Sequence, residues 1–120
     1  LKDGLKVGTY YPDFICINHG HNDSATAANF KTAYETVIKR LNILYPGVPV
    51  FLVSPFSKTT YDSVMQELAN SYPQCYFVPT IGWGGETTDG THLSVAGAQN
   101  NGEKLAEAIL EVLGKEFFMN

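Results

Sequence analysis

Two short segments of the chain hold all of its histidines and the residues best suited to acid–base chemistry. They are His19-Gly20-His21-Asn22-Asp23 and Asp89-Gly90-Thr91-His92. A spacing of three lets the Asp89 carboxylate accept a hydrogen bond from Nδ1–H of His92, which leaves Nε2 as a general base toward a hydroxyl nucleophile. The same spacing also fits a surface histidine beside an Asx turn.

Asn22 is the candidate donor to a developing oxyanion, because its amide offers two N–H groups without any charge. One such donor in a dry site contributes about 3 kcal/mol of transition-state stabilisation. A turn residue at the end of a strand is the alternative role. We expect Asp23 to cap a helix that begins near Thr26. Asn22-Asp23-Ser24 also matches the glycosylation sequon. If Asn22 lines an active site, its glycosylation is not expected.

Elements that would position these residues are visible as apolar runs alternating with helical patterns, which is typical of an α/β fold with a parallel sheet. Continuous apolar runs at 14–17, 50–53 and 76–78 predict strands covered on both faces. Apolar spacings of three and four predict helices over 30–41, 61–72 and 105–113, with Thr59 or Thr60 capping the second and Gly114 ending the third. In such sheets ligands bind beyond the carboxyl ends of the strands, an edge that both segments can reach.

Segment 79–93 has neither the helical nor the strand periodicity and is predicted to be a loop. A loop of this length inside a compact domain is more often functional than not. Trp83 lies there among glycines. Its ring could stack on a sugar or line an acyl pocket, or it could fill the core beneath the loop. Both roles stay open.

Composition excludes several partners. The 120 residues are 44% hydrophobic with a net charge of -4, which is globular composition without a basic patch for nucleic acid. No apolar run approaches the roughly 20 residues of a membrane span. The first residues lack the apolar region of a signal peptide, and the sequence therefore does not indicate a cellular compartment. Cys16 and Cys75 lie in apolar runs and are expected to be buried free thiols.

The two segments together, in this order and frame, resemble the SGNH/GDSL-type serine hydrolase (esterase/lipase) superfamily. Gly20-x-Asn22-Asp23 after an apolar strand resembles its Gly-x-Asn-Asp block, and Asp89-Gly90-Thr91-His92 before a helix resembles its Asp-x-x-His block. The resemblance covers nearly the whole chain. It implies a three-layer α/β/α sandwich with a flavodoxin-like parallel sheet of about five strands.

The resemblance also implies an activity, which is ester hydrolysis through a Ser-His-Asp acyl-enzyme on carbohydrate acetyl groups, lipids or thioesters, without a cofactor or metal. His92 would be the general base and then the acid, and Asp89 would orient it. Asn22 would donate to the oxyanion hole, and Gly20 would let the backbone pass close to the substrate. His21 would line the substrate pocket or serve in packing.

The family's Gly-Asp-Ser block has no match before Gly20. We therefore expect residues 1–120 to be the C-terminal part of one such domain, with about three strands and three helices. Another chain or a missing N-terminal segment would supply the nucleophilic serine, or the chain would be an inactive fragment that only binds or assembles. The first strand should have an unpaired edge, covered by another chain, by residues 1–11 or by neighbours.

Two alternatives remain for the chemistry. Asn22-Asp23-Ser24-Ala25-Thr26 loosely resembles the Gly-Asp-Ser block, which would make Ser24 the nucleophile, although no Gly-x-Asn-Asp then follows. His19 and His21 fall on one side of an extended backbone, and Asp89 or His92 could complete a zinc site for a metal-dependent hydrolase. The zinc interpretation leaves Gly20 and Asn22 unexplained.

Overall fold

Three strands and three helices alternate along the part of the chain that the structure describes. The computed structural model describes residues 11–90, 92–114 and 117. The elements in chain order are β1 (Ile15–Ile17), α1 (Ala27–Leu44), β2 (Val50–Val53), α2 (Asp62–Ser71), β3 (Cys75–Val78) and α3 (Val95–Leu113). Contacts divide the chain into two compact units, Leu1–Pro79 and Thr80–Asn120. The predicted α/β class and the predicted order of elements are confirmed.

The first unit is a parallel sheet in the order β1-β2-β3 with two helices on one face. Ile15, Val50 and Cys75 are aligned across the three strands. Right-handed crossovers that step twice in the same direction place both helices on the same face. Accordingly, α1 and α2 share one core with alternate sheet residues. Its buried members are Phe30, Tyr34, Ile38, Val50, Leu52, Tyr61, Val64, Met65, Leu68 and Cys75.

Burial differs between the central strand and the edge strand. All four residues of β2 are buried, as continuous apolarity predicted. In β1 the two isoleucines are half-buried and Cys16, between them, is exposed. The expectation of a buried Cys16 is therefore wrong, because it points away from the helical face on an edge strand, whereas Cys75 is buried as expected. Among the described residues, β1 pairs only with β2, and the open edge and what covers it stay predictions, because residues 1–10 lie outside the described part of the chain.

Two helix starts differ from expectation. Thr26, not Asp23, caps α1, since its hydroxyl accepts from the backbone N–H of Asn29 at 3.2 Å. Asp23 instead accepts from the N–H of Ala25 at 2.8 Å in an Asx turn. The N-cap of α2 is Tyr61, which makes no side-chain capping hydrogen bond. The predicted threonine cap is absent there because the position of Tyr61 is determined by tertiary contacts of its ring and hydroxyl.

The second unit consists of the loop from Thr80 and helix α3. The side chain of Ser94 caps α3, accepting from the N–H of Gly97 at 3.1 Å. Gly114 ends the helix as predicted, with a φ of 81°. No helix in the described part of the chain combines the length and the hydropathy that crossing a bilayer requires.

Candidate active site

Asp89 and His92, which the sequence predicted to interact, are in contact through their side chains. Nδ1 of His92 lies 2.7 Å from Oδ2 of Asp89, and the backbone N–H of His92 donates to Oδ1 at 2.7 Å. Both carboxylate oxygens are thus engaged, and the ring is oriented against its own main chain. The side chains of His92 and Asp89 are 75% and 54% exposed, so the pair adds little stability but fixes an orientation. With Nδ1 occupied, Nε2 is the nitrogen available to a reacting partner.

The loop that carries this pair, residues 86–94 (the histidine loop), is closed at its base. Thr87 and Leu93 form an antiparallel bridge. The carbonyl oxygen of Glu86 accepts from the backbone N–H and the hydroxyl of Ser94, at 2.9 and 3.2 Å. A Cβ at Gly97 would lie 2.1 Å from that same oxygen, so only glycine lets the loop base approach the first turn of α3.

Asn22 lies in a tight turn just after the carboxyl end of β1. Residues 18–25 form this asparagine loop, in which the N–H of Asp23 donates to the carbonyl of Gly20 at 3.3 Å. The side chain of Asn22 is exposed. Its amide makes no hydrogen bond to any residue that the structure describes, so its donors are available to a ligand.

Gly20 is required by packing beneath the asparagine loop. It is buried with a φ of +113°, and a Cβ there would meet the Phe30 ring at 3.0 Å. That ring stacks on Tyr61 with centroids 3.8 Å apart and planes 2° from parallel. A side chain at position 20 would therefore displace the aromatic pair under the loop. The predicted approach of substrate to Gly20 stays a prediction.

Two cavities adjoin the asparagine loop, both within the first unit. One, of about 460 Å³, is lined by residues 18–24, and includes the exposed Ser24 and the half-buried His21. The other, of about 340 Å³, is largely apolar and lies between the end of β1 and α1. Its lining residues are Ile17, His19, Asp23, Phe30, Ala33, Tyr34 and Val37. Both volumes fall within the range of small-ligand sites.

Lys58 was not identified from the sequence, yet it contacts the asparagine loop directly. Its ammonium donates to the carbonyls of His21 and Asp23, each at 2.7 Å. The residue lies 35 positions from Asp23 in the chain. A lone lysine in a loop carries no sequence signal for such a contact.

The remaining candidates have mixed outcomes. Trp83 is half-buried, and its carbonyl accepts from the side chain of Asn100 at 3.3 Å, so both proposed roles for the indole stay predictions. Among residues 11–90, 92–114 and 117, no group of three or more His, Cys, Asp or Glu is arranged to hold a metal ion. The zinc alternative on His19, His21 and His92 therefore has no support in that part of the chain.

Each unit brings together one set of predicted residues. Gly20, His21 and Asn22 share one loop in the first unit, whereas Asp89 and His92 share another in the second. That the two sets meet in one cleft stays a prediction.

Three parallel strands with alternating helices match part of a flavodoxin-like fold, as predicted. A solved structure similar to this chain is that of a carbohydrate esterase family 2 enzyme plus its carbohydrate-binding domain, from Corynascus thermopiles (Myceliophthora fergusii). The TM-score is 0.72 at 22% identity, over 89% of this chain and 39% of that one. This chain thus spans about two fifths of the enzyme's length, and at this identity the likeness shows the fold. No protein-family model matches the sequence, and no curated protein does.

Proposed function

We propose that this chain is the part of a serine-dependent ester hydrolase that carries its general base and one oxyanion donor. The observation that carries the proposal is the 2.7 Å contact between His92 Nδ1 and Asp89 Oδ2 on an exposed ring. The arrangement orients an imidazole toward solvent while a carboxylate balances the charge that the ring gains on protonation. The fold, which is that of a carbohydrate esterase, supports the same conclusion.

The reaction proceeds through two proton transfers at His92. Nε2 takes the proton of a serine hydroxyl as the serine oxygen bonds to the ester carbonyl carbon. The protonated ring then gives that proton to the departing alkoxide as the carbon–oxygen bond breaks. Water repeats the sequence on the acyl-enzyme, releasing the acid and regenerating the serine. Asp89 stabilises the imidazolium in both halves without taking the proton.

Asn22 supplies the electrostatic part of the mechanism. Its exposed amide has donors that no described residue uses, as an oxyanion donor needs before substrate arrives. The turn that carries it follows the carboxyl end of β1, and ligands of parallel sheets bind beyond such ends, which supports this role. In this proposal Asn22 and His92 face one cleft, with Gly20 and His21 beside the substrate.

The substrate class that we propose is an acyl or acetyl ester on a carbohydrate. Two observations support this choice. The structurally similar enzyme is a carbohydrate esterase that has a carbohydrate-binding domain. Trp83, half-buried in the loop before Asp89, offers an aromatic surface of the type that stacks on sugar rings.

The nucleophilic serine lies, in this proposal, outside the 120 residues. No Gly-Asp-Ser precedes Gly20, and the similar enzyme is matched over only 39% of its length. Within the described residues β1 has one neighbouring strand, which leaves an edge for another. A strand from a second chain or from a missing N-terminal segment would pair there and bring the serine.

A fluorophosphonate probe tests the proposal. It is applied to the 120-residue chain and to the longer protein that contains the missing strands, and the labelled residue is mapped by mass spectrometry. We expect labelling only in the longer protein, at a serine outside residues 1–120, and a loss of roughly 10⁴-fold in labelling rate in His92→Gln. His19→Gln should retain labelling, whereas a zinc site would need both His19 and His92. Labelling of Ser24 in the short chain would overturn the proposal.

A further inference from the structure

Lys58 occupies a loop whose backbone is itself unusual. It lies between β2 and α2, where its N–H donates to the carbonyl of Pro55 at 3.2 Å and closes a turn. Ser57, inside that turn, has a φ of 60°, in the left-handed region that L-residues other than glycine rarely adopt. A non-glycine residue in this region costs about 1–2 kcal/mol. The chain accepts this conformation directly before Lys58.

The ammonium of Lys58 brackets Asn22. It donates at 2.7 Å to the carbonyls of His21 and Asp23, the residues on either side of Asn22. The hydroxyl of Tyr61 donates to the carbonyl of Ala25 at 2.7 Å and lies 3.3 Å from that of Asp23, and Lys58 Nζ lies 5.6 Å from the centre of the Tyr61 ring. Two carbonyls held by one cation fix the peptide plane before Asn22 and the one after Asp23, so the short backbone stretch that carries Asn22 is held at both ends.

These bonds are not part of an ion pair. The salt bridges within the described residues join Lys31 to Glu67 and His92 to Asp89, so no carboxylate there neutralises Lys58. Lysine has three donors, and here two of them are used on main-chain carbonyls of a single loop. Helix capping and core packing also leave this contact unexplained, because the carbonyls belong to neither a helix nor a strand.

We infer that Lys58 is a positioning residue for Asn22, and that its ammonium holds the asparagine loop in the conformation that points the amide at the oxyanion. The inference rests on the proposed function. Without its bonds to Lys58 we expect the asparagine loop to sample several turn geometries. The Asn22 amide displaced by about 1 Å would lose much of its effect on the transition state. Lys58 would thus act through Asn22 without touching the substrate.

A double-mutant cycle in the longer, serine-containing protein tests this, with p-nitrophenyl acetate as the probe ester. The variants are Asn22→Ala, Lys58→Met and the double variant. Lys39→Met, at an exposed position of α1, is the matched control. We expect Asn22→Ala to lower kcat by about 10²–10³-fold and Lys58→Met by roughly 10- to 100-fold, with KM little changed. The double variant should be no slower than Asn22→Ala, because the two residues act as one unit.

The outcomes separate the two claims. If Asn22→Ala keeps wild-type kcat, the proposed function fails. If Asn22→Ala is slow and Lys58→Met slows it again by the same factor, the function stands and the positioning role is wrong. Should Lys58→Met not fold, Lys58→Arg and Lys58→Gln replace it, and arginine, which keeps charge and donors, must rescue kcat relative to glutamine. Equal kcat in the two would contradict the inference.

Discussion

Replacing Gly97 by alanine should destabilise the protein, although the same change in most helices stabilises it. The position lies in the first turn of α3, where the carbonyl oxygen of Glu86 would be 2.1 Å from an added Cβ. Since real Cβ contacts start near 3.0 Å, that oxygen has to move by about 0.9 Å. It is backbone, so a side-chain rotation offers no relief.

The size of the effect follows from three terms. Overpacking of this kind costs about 1–3 kcal/mol. The shift also weakens the two bonds from Ser94 to the Glu86 oxygen, each contributing about 0.5–1.5 kcal/mol. Against this, alanine favours the helix by about 1 kcal/mol over glycine. We therefore expect Gly97→Ala to lower the free energy of unfolding by about 2 kcal/mol.

Gly102 provides the matched control, because it lies in the same helix with nothing within 4 Å of an added Cβ. Gly102→Ala should raise stability by about 0.5–1 kcal/mol. Urea unfolding of both variants, with midpoints compared at constant m-value, measures the contrast. A Gly97→Ala protein as stable as Gly102→Ala would show that the loop base does not rest on α3.

Three further predictions concern the first unit. Ser57→Gly should raise the free energy of unfolding by about 0.5–1 kcal/mol, since it relieves a φ of 60°. The control Ser63→Gly, within α2, should lower it by a similar amount, and the midpoints of urea unfolding of the two variants measure the difference. Burial raises the pKa of Cys75 to about 11 from 9.0, so the folded thiol stays protonated while the unfolded one ionises. The free energy of unfolding should thus fall as pH rises from about 9 to about 11, by at most about 1.4 kcal/mol per pH unit. In Cys75→Val the midpoint of urea unfolding should change less over this pH range. An equal fall in both proteins would show that Cys75 is not the group responsible. At about pH 8, where most thiols are still protonated, iodoacetamide should modify exposed Cys16 before Cys75, as mass spectrometry would show.

Sequence periodicity was sufficient for the elements of the fold. The three apolar runs became the three parallel strands and the three amphipathic patterns became the three helices. The Asp89–His92 contact could also be predicted, because a spacing of three closes through a local turn and needs no tertiary information. Local patterns of this kind are set by chain geometry alone.

Three of the misses share one physical cause, which is dependence on distant residues. Cys16 lies in an apolar run, yet its exposure is decided by the sheet order, which places β1 at the edge. The start of α2 is decided by the stacking of Tyr61 on Phe30, not by nearby threonines. Lys58 contacts the asparagine loop across 35 residues of chain. None of these relations has a short-range signature.

The Asp89–His92 pair has a consequence for how the proposed site assembles. The proposed base and the residue that would orient it come from a stretch of four residues, closed by contacts of very low sequence separation. Such a pair forms on the timescale of turn closure and does not wait for the sheet to organise. The orientation of His92 therefore depends on the histidine loop and on its base at Ser94 and Gly97, and not on the order of the strands.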